Sequence, residues 1–393
     1  MTDLPAMTEL ARELRGKVFR EVSDDVELIV SSDSANKAYL SGYVSMAHDV
    51  APHYRSAVLA SRERASLLVS AADAGPAFEL LGDPSLIHRY GEFYFETAGD
   101  KEPQGYNVPP TATFEDAAVD VLRTLQPSRG LVGVDRADGD MLWKLSRELL
   151  GEAKVVDITP NLRAARATKT SDEVERLRRA TVLVEDGFRK LIDNAHAGMT
   201  EIELAAMIAE RMVAGGGVPR FVSVTSGPRS ALADAYATNR PIAKGELIRI
   251  DAGCTVDGYW SDMARTFVFG EPDARQRKTY EALAIGLEQE LAAVRAGIAA
   301  NELFAIAMKA VKENGIPHYK RQHCGHGIGL RTYDSPLINS IDTTELVEGM
   351  CLCVETPYYE LNLDGMMVED TIRVTANGYE PITTISRELF VLS

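Results

Sequence analysis

Apolar and polar positions follow two different rhythms along this chain, and the change falls near residue 160. In the first part the apolar runs are short. Val26–Val30 is closed by the turn-rich Ser31-Ser-Asp-Ser-Ala-Asn, which predicts a strand. Ala57–Ala60 and Ser66–Val69 flank Ser61-Arg-Glu-Arg and predict a hairpin. Leu131–Val134, a helical Asp140–Leu150 and Lys154–Ile158 predict strand, helix, strand. Pro109-Pro110 marks a loop, and Thr159-Pro160-Asn161 reads as a linker. Residues 1–160 are thus expected to form one α/β domain and residues 161–393 another. In the second part Thr170 with Glu173, and Thr200 with Glu203, have capping-box spacing. They start a long charged helix from about Ser171 and a helix over Ile202–Met212. Long helices then alternate with antiparallel strand pairs, an α+β arrangement.

A pattern of glycines and carboxylates occurs twice in that second part. The first copy runs Gly245-Glu-Leu-Ile-Arg-Ile-Asp251, then Asp257-Gly258-Tyr-Trp-Ser-Asp262. The second runs Gly349-Met-Cys-Leu-Cys-Val-Glu355, then Asp364-Gly365-Met-Met-Val-Glu369. Each is preceded by a helix-like stretch, starting at Gly198 and at Gly297. Such a duplication predicts a pseudo-two-fold axis that gathers four acidic side chains. With Asp257-Gly258 as a two-residue hairpin turn, Asp251 faces Ala264 and Asp262 lies two residues away, so both acids share a face. Asp364-Gly365 is read as the matching turn, while the pairing of Glu355 with Glu369 is left open by a longer loop. Four buried carboxylates need protons or cations to cancel their charge, and hard divalent metals suit their oxygens. His326, within His323-Cys-Gly-His-Gly-Ile-Gly329, offers an imidazole nitrogen. The predicted ligand set for a pair of metals is Asp251, Asp262, His326, Glu355 and Glu369.

Composition narrows the partners. The formal charge of −16 makes nucleic acid and anionic membrane poor partners. No apolar run is long enough to span a bilayer, and Met1-Thr-Asp-Leu-Pro lacks the basic and apolar regions of a signal peptide. Cys254, Cys324, Cys351 and Cys353 have no zinc-ribbon spacing and read as small buried thiols in a reducing cytoplasm.

Taken together and in order, these motifs resemble the pita-bread family, which includes methionine aminopeptidase, Xaa-Pro aminopeptidase, prolidase and creatinase. The residues that carry the likeness are Asp251, Gly258-Tyr259, Asp262-Met-Ala-Arg265-Thr266, Gly325-His326-Gly327-Ile328-Gly329, Glu355-Thr356-Pro357 and Glu369-Asp370-Thr371. The resemblance implies a pita-bread catalytic domain behind a smaller creatinase-like domain, a homodimer, and two divalent ions (Mn, Fe, Co or Zn) held by the five ligands. It implies a water activated by metal, with Glu355 passing the proton to the leaving nitrogen. It also implies that the loop Tyr43–Arg55 reaches a neighbouring active site, the bland alternative being an exposed loop.

The chain departs from the family's peptidases at three places. Tyr333 and Asp234 stand where two substrate histidines are usual, and Met367 where a basic residue is common. Asp234 is therefore expected to face a cationic or amine-bearing substrate with Tyr333 as hydrogen-bond donor, unless Asp234 merely pairs with Arg229 or Arg240. His323 is expected to touch substrate or to be structural, and Arg265 to pair with a ligand carboxylate. The expected activity is a dinuclear metal hydrolase of a C–N bond in a dipeptide or small amide, Xaa-Pro dipeptidase- or aminopeptidase-like. The alternative is a non-peptidase enzyme on the same scaffold, similar to ectoine hydrolase, creatinase or dimethylsulfoniopropionate lyase, acting on a small charged metabolite.

Overall fold

A computed structural model describes residues 6–51, 53–95 and 111–393. Pro109-Pro110 and the N-terminal residues Met1–Pro5 lie outside the described residues. The chain divides into two compact units, residues 1–166 and 167–393.

The first unit is built on a six-stranded mixed sheet. Its order is Ile87–Tyr90, Ala65–Ser70, Ala57–Ala60, Val26–Ser31, Leu131–Val134 and Val155–Asp157. The expected hairpin is there, with Ala60 facing Ala65. So are the helix Met141–Leu150 and the strands on either side of it. One expectation fails: Thr159-Pro160-Asn161 is no linker but the first turn of a helix, Thr159–Ala167. Proline is tolerated there because a first-turn N–H has no acceptor within the helix. The loop Tyr43–Arg55 is tied to its own unit. Tyr43 and Tyr54 hydroxyls donate to Asp73 at 2.6 and 2.7 Å, and Lys37 Nζ lies 2.7 Å from His48 Nε2. Met46 and Val50 point outward.

The second unit repeats itself. Both capping boxes are made: Thr170 with Glu173 opens the 24-residue helix Ser171–Asn194, and Thr200 with Glu203 opens Glu201–Ala214. These helices pack Phe188, Leu204 and Ile208 against Ile248, Ile250 and Phe267 of one sheet. Helices Ala274–Ala293 and Ala300–Glu313 place Leu287, Leu303 and Val311 against Leu352, Val354 and Ile372 of another. The turns also repeat. Gly198 N donates to Ile242 O at 3.0 Å, and Gly297 N to Leu346 O at 2.8 Å. Gly245 N donates to Phe269 O, and Gly349 N to Val374 O, all four glycines having positive φ.

Where the sheets meet, paired positions bond to each other. Thr266 Oγ1 donates to Met367 O at 2.9 Å, and Thr371 Oγ1 donates to Asp262 O at 2.9 Å. Arg265 and Asp370 lie at equivalent places in the two copies, and they form an ion pair of 2.7 Å, both fully buried. The pseudo-axis therefore runs between a cation and an anion. Arg265 also donates to Glu369 O at 2.6 Å and Ser386 O at 2.7 Å. The expectation that Arg265 pairs with a ligand carboxylate is corrected: its carboxylate is Asp370, and it meets Glu369 only through the backbone.

Among the described residues no helix is long and apolar enough to cross a membrane. Replacing Arg265 by Met leaves Asp370 without its buried cation and several carbonyls without a donor. The expected loss is about 3–5 kcal/mol of stability, read as a lower midpoint in chemical denaturation. A midpoint within error of the wild type would show that the seam does not depend on this pair.

Candidate metal centre

Two antiparallel ladders carry the acids. Ala264 pairs with Asp251, as the Asp257-Gly258 turn predicts, and both turn residues have positive φ, 52° and 83°. In the second ladder Glu355 faces Glu369 directly. Asp364-Gly365 is not the matching turn. It belongs to the strand Asp364–Met366, which pairs with Tyr358–Glu360, and Asn362 at φ 68° makes the bend. The copies thus differ by two residues in where the second acid sits. Met367 holds the place equivalent to Asp262, and Ala264 the place equivalent to Glu369. A shift of two preserves the face, so all four acids still turn the same way.

His326 comes in on the short strand Gly325–Gly327, opposite Cys353. A Cβ on Gly325 would meet Cys353 O at 2.3 Å, so only glycine lets the strands approach this closely. His326 Nδ1 lies 3.1 Å from Gly327 O and must donate to it, which leaves the Nε2 lone pair free. That Nε2 is 3.7 Å from Asp262 Oδ2. Burial lowers the imidazole pKa and keeps it neutral, the form that binds metal.

Ligand-type atoms of Asp262, His326, Cys353 and Glu369 lie within 4.8 Å of one another, all buried. Cys353 is the unforeseen member. Its place two residues before Glu355 on one strand was the available signal, since alternate residues share a face. Burial, together with Asp262 and Glu369, pushes its thiol pKa far up, so it stays protonated. Asp251 stands outside that group of four but lines the same cavity as Asp262 and Glu369. Glu355 is set apart by its nitrogen-bearing neighbours. His323 Nδ1 is 2.9 Å away, though off line for a hydrogen bond, and Arg321 is at 3.8 Å.

The electrostatics separate the acids. Burial raises Asp251 to about 7, with Glu355 and Asp234 pushing it up and Arg249 holding it down. Asp262 and Glu369 are driven well above the carboxylate range by burial and by their acidic neighbours. In Glu355, burial is outweighed by His323 and Arg321, which hold it below its ordinary value. Asp251 Oδ1 and Glu369 Oε2 are buried with no hydrogen-bond partner. Unpaired carboxylate oxygens lining one cavity, with a neutral imidazole nitrogen beside them, fit a divalent cation.

The cavity above them holds about 330 Å³. Tyr333 covers one side: its ring stacks on His326 with centroids 3.8 Å apart and meets His323 edge-on at 5.7 Å. Asp234 stands at the rim. The two arginines considered as its partners are engaged elsewhere, Arg229 with Glu201 and Arg240 with Glu246, while Arg220 lines the same cavity. Glu201 was not singled out from the sequence. It is fully buried and accepts from Ser226 N at 2.8 Å and Thr238 N at 3.0 Å, which fixes both ends of the Asp234 loop. Its place in the first turn of a helix suggested only an exposed acid.

The sequence model of metallopeptidase family M24 matches residues 175–376, the span that contains Asp251, Asp262, Glu355 and Glu369. The chain belongs to metallopeptidase family M24. An Xaa-Pro dipeptidase of Pyrococcus furiosus is 34% identical over 238 residues, covering 60% of this chain and 68% of the relative. A probable dipeptidase PepE of Mycobacterium tuberculosis is 32% identical over 236 residues, covering 60% and 63%. An X-Pro aminopeptidase structure from Thermotoga maritima superposes with a TM-score of 0.80 at 22% identity, covering 97% of this chain and 99% of that one. A prolidase from Pyrococcus furiosus gives 0.72 at 25% identity, covering 94% and 99%. The fold is the two-domain pita-bread fold, and this M24 member is a metal-dependent hydrolase.

For such a centre, metal should stabilise the folded chain. Chelator-stripped protein is expected to unfold earlier than protein supplied with Mn²⁺. At about 100 times the dissociation constant the gain is about 2.7 kcal/mol, read by calorimetry. An unchanged unfolding temperature across Mn²⁺, Co²⁺, Fe²⁺ and Zn²⁺ would sink the assignment.

Proposed function

We propose that this M24 hydrolase cleaves the C–N bond of a small dipeptide of Xaa-Pro type, with two divalent ions held by Asp251, Asp262, His326, Glu355 and Glu369. The observation that carries the reading is the set of partnerless acid oxygens beneath a cavity of dipeptide size. Divalent metal, when bound, supplies Lewis acidity and lowers the pKa of water from about 15.7 toward about 7.

The side chains divide the remaining work. His323 and Arg321 keep Glu355 a carboxylate in the free protein, so it can take a proton and deliver it to the leaving nitrogen. The Tyr333 hydroxyl donates to the substrate carbonyl oxygen, a role supported by the stacking of its ring on His326 at the cavity wall. Burial raises its pKa, so it remains a donor at all working pH values. Asp234, at the cavity rim with Arg229 and Arg240 engaged elsewhere, takes the substrate's amino group. Glu201 holds that loop in place. The same three departures, Asp234, Tyr333 and Met367 around one cavity, favour a second reading, a small charged metabolite other than a peptide.

An Asp234→Asn variant should lose about ten- to a hundredfold in kcat/KM on dipeptides with a free amino group. N-acetylated analogues should change little. Equal losses on both would remove Asp234 from substrate recognition. Failure of the metal-loaded enzyme to release proline from any Xaa-Pro dipeptide, with turnover of cyclic amides or onium compounds instead, would replace the first reading by the second.

A further inference from the structure

One thiol stands among the buried acids and the imidazole. Cys353 faces His326 across one ladder and Thr371 across the next, so imidazole, thiol and hydroxyl form a row over three strands. Alternate residues of a strand share a face, which puts Cys353 on the side of Glu355 and Thr371 on the side of Glu369. The row that holds the thiol therefore lies beside the row in which those two acids pair. The sulfur and one ligand-type atom each of Asp262, His326 and Glu369 lie within 4.8 Å of one another, and all four residues are buried.

The ordinary role of a buried thiol, a weak hydrogen bond, accounts for only part of this. Thr371 Oγ1 lies 3.5 Å from the sulfur, but its own hydrogen goes to Asp262 O at 2.9 Å. The thiol can then only donate, to Thr371 Oγ1 or to Asp262 O at 3.8 Å. Among the described residues no other hydrogen-bond donor reaches the sulfur lone pairs. Glu369 Oε2, in the same group of four, is also buried without a hydrogen-bond partner. Unclaimed oxygen and sulfur electron pairs gathered beside an imidazole nitrogen point to a missing cation.

Building on the two-ion reading above, we propose that Cys353 is a direct ligand of one of the two ions, and that its sulfur makes that position prefer Zn²⁺ to Mn²⁺. On binding, the sulfur–hydrogen bond breaks, the proton passes to the buffer and a sulfur–metal bond forms. A set of one sulfur, one imidazole nitrogen and two carboxylate oxygens suits Zn²⁺, whereas Mn²⁺ favours oxygen. Asp251 and Glu355 stand outside the set and offer oxygen alone. The two positions are therefore chemically unlike, one fitted to a softer ion and the other to a harder one. The choice of metal then turns on a single side chain, because oxygen in place of this sulfur would make both positions hard.

Cobalt reports on such a bond directly. Chelator-stripped protein titrated with Co²⁺ should gain a sulfur-to-cobalt charge-transfer absorption in the near ultraviolet. Cys353→Ser should lose that absorption while still binding two ions. Cys351→Ser, on the same face about 7 Å along the strand, should keep it. In competition titrations the affinity for Zn²⁺ relative to Mn²⁺ should fall at least about tenfold in Cys353→Ser. Zinc-edge X-ray absorption of the wild type, which needs no variant to fold, should show one sulfur at about 2.3 Å. Two bound ions without the zinc–sulfur distance, or an absorption that persists in Cys353→Ser, overturn the assignment and leave the five-ligand centre standing. A wild type that binds neither Co²⁺ nor Zn²⁺ overturns both.

Discussion

A fully buried ion pair on the pseudo-two-fold axis, Arg265 with Asp370, is the constraint on which the catalytic unit is organised. The two residues hold equivalent positions in the repeat, so a symmetric duplication would have placed like with like there. Two arginines or two aspartates at 2.7 Å in a dry interior would repel. Making one copy cationic and the other anionic turns the axis into an attraction. It also sets the height at which the sheets meet, and with it the height of Asp262 and Glu369. The reciprocal threonine bonds, Thr266 to Met367 O and Thr371 to Asp262 O, lock that height from both sides.

The symmetry is kept for the scaffold and broken for the chemistry. Helix starts, glycine turns and ladder hydrogen bonds repeat closely. Of the acids only Asp251 and Glu355 repeat, whereas Asp262 is matched by Met367 and Glu369 by Ala264. The four carboxylates therefore depart from the two-fold symmetry of the scaffold, and they differ in surroundings. Asp262 and Glu369 are pressed against a neutral imidazole and a neutral thiol, while Glu355 leans toward His323 and Arg321. One acid stays ionised where the others resist ionisation without a cation. A perfectly repeated site could not have separated them.

Much of this was legible in the sequence, for definable reasons. Asp257-Gly258 has room for only one hairpin, so the pairing of Asp251 with Ala264 followed from turn chemistry alone. Capping boxes are local and were read correctly at Thr170 and Thr200. Reading Asp364-Gly365 as a second turn failed because dipeptide composition does not reveal that the bend is made by Asn362, two residues earlier. Thr159-Pro160-Asn161 was misread because proline suits a helix start as well as a linker. Arg265 and Glu201 were misjudged or missed since their partners, Asp370 and the backbone around Ser226 and Thr238, are distant in sequence. Long-range satisfaction of buried charge is the part that local pattern cannot supply.

That same long-range bookkeeping accounts for the cost of the site. Buried acids without partners destabilise the metal-free fold, because each unpaired oxygen forfeits its hydration. Arg249 could have relieved this by closing on Asp251, yet its Nη1 stops at 3.5 Å while its other donors hold the Asp234 loop through Ser230 O and Leu232 O. A fully closed pair would neutralise Asp251 and remove it from the acid cluster. Holding the guanidinium just short of contact keeps the acid available to a cation and steadies its charge from a distance. It also ties the position of the specificity loop to the strand that carries Asp251. The loop and the acid are thus coupled through one side chain, so a shift of the strand would move both together.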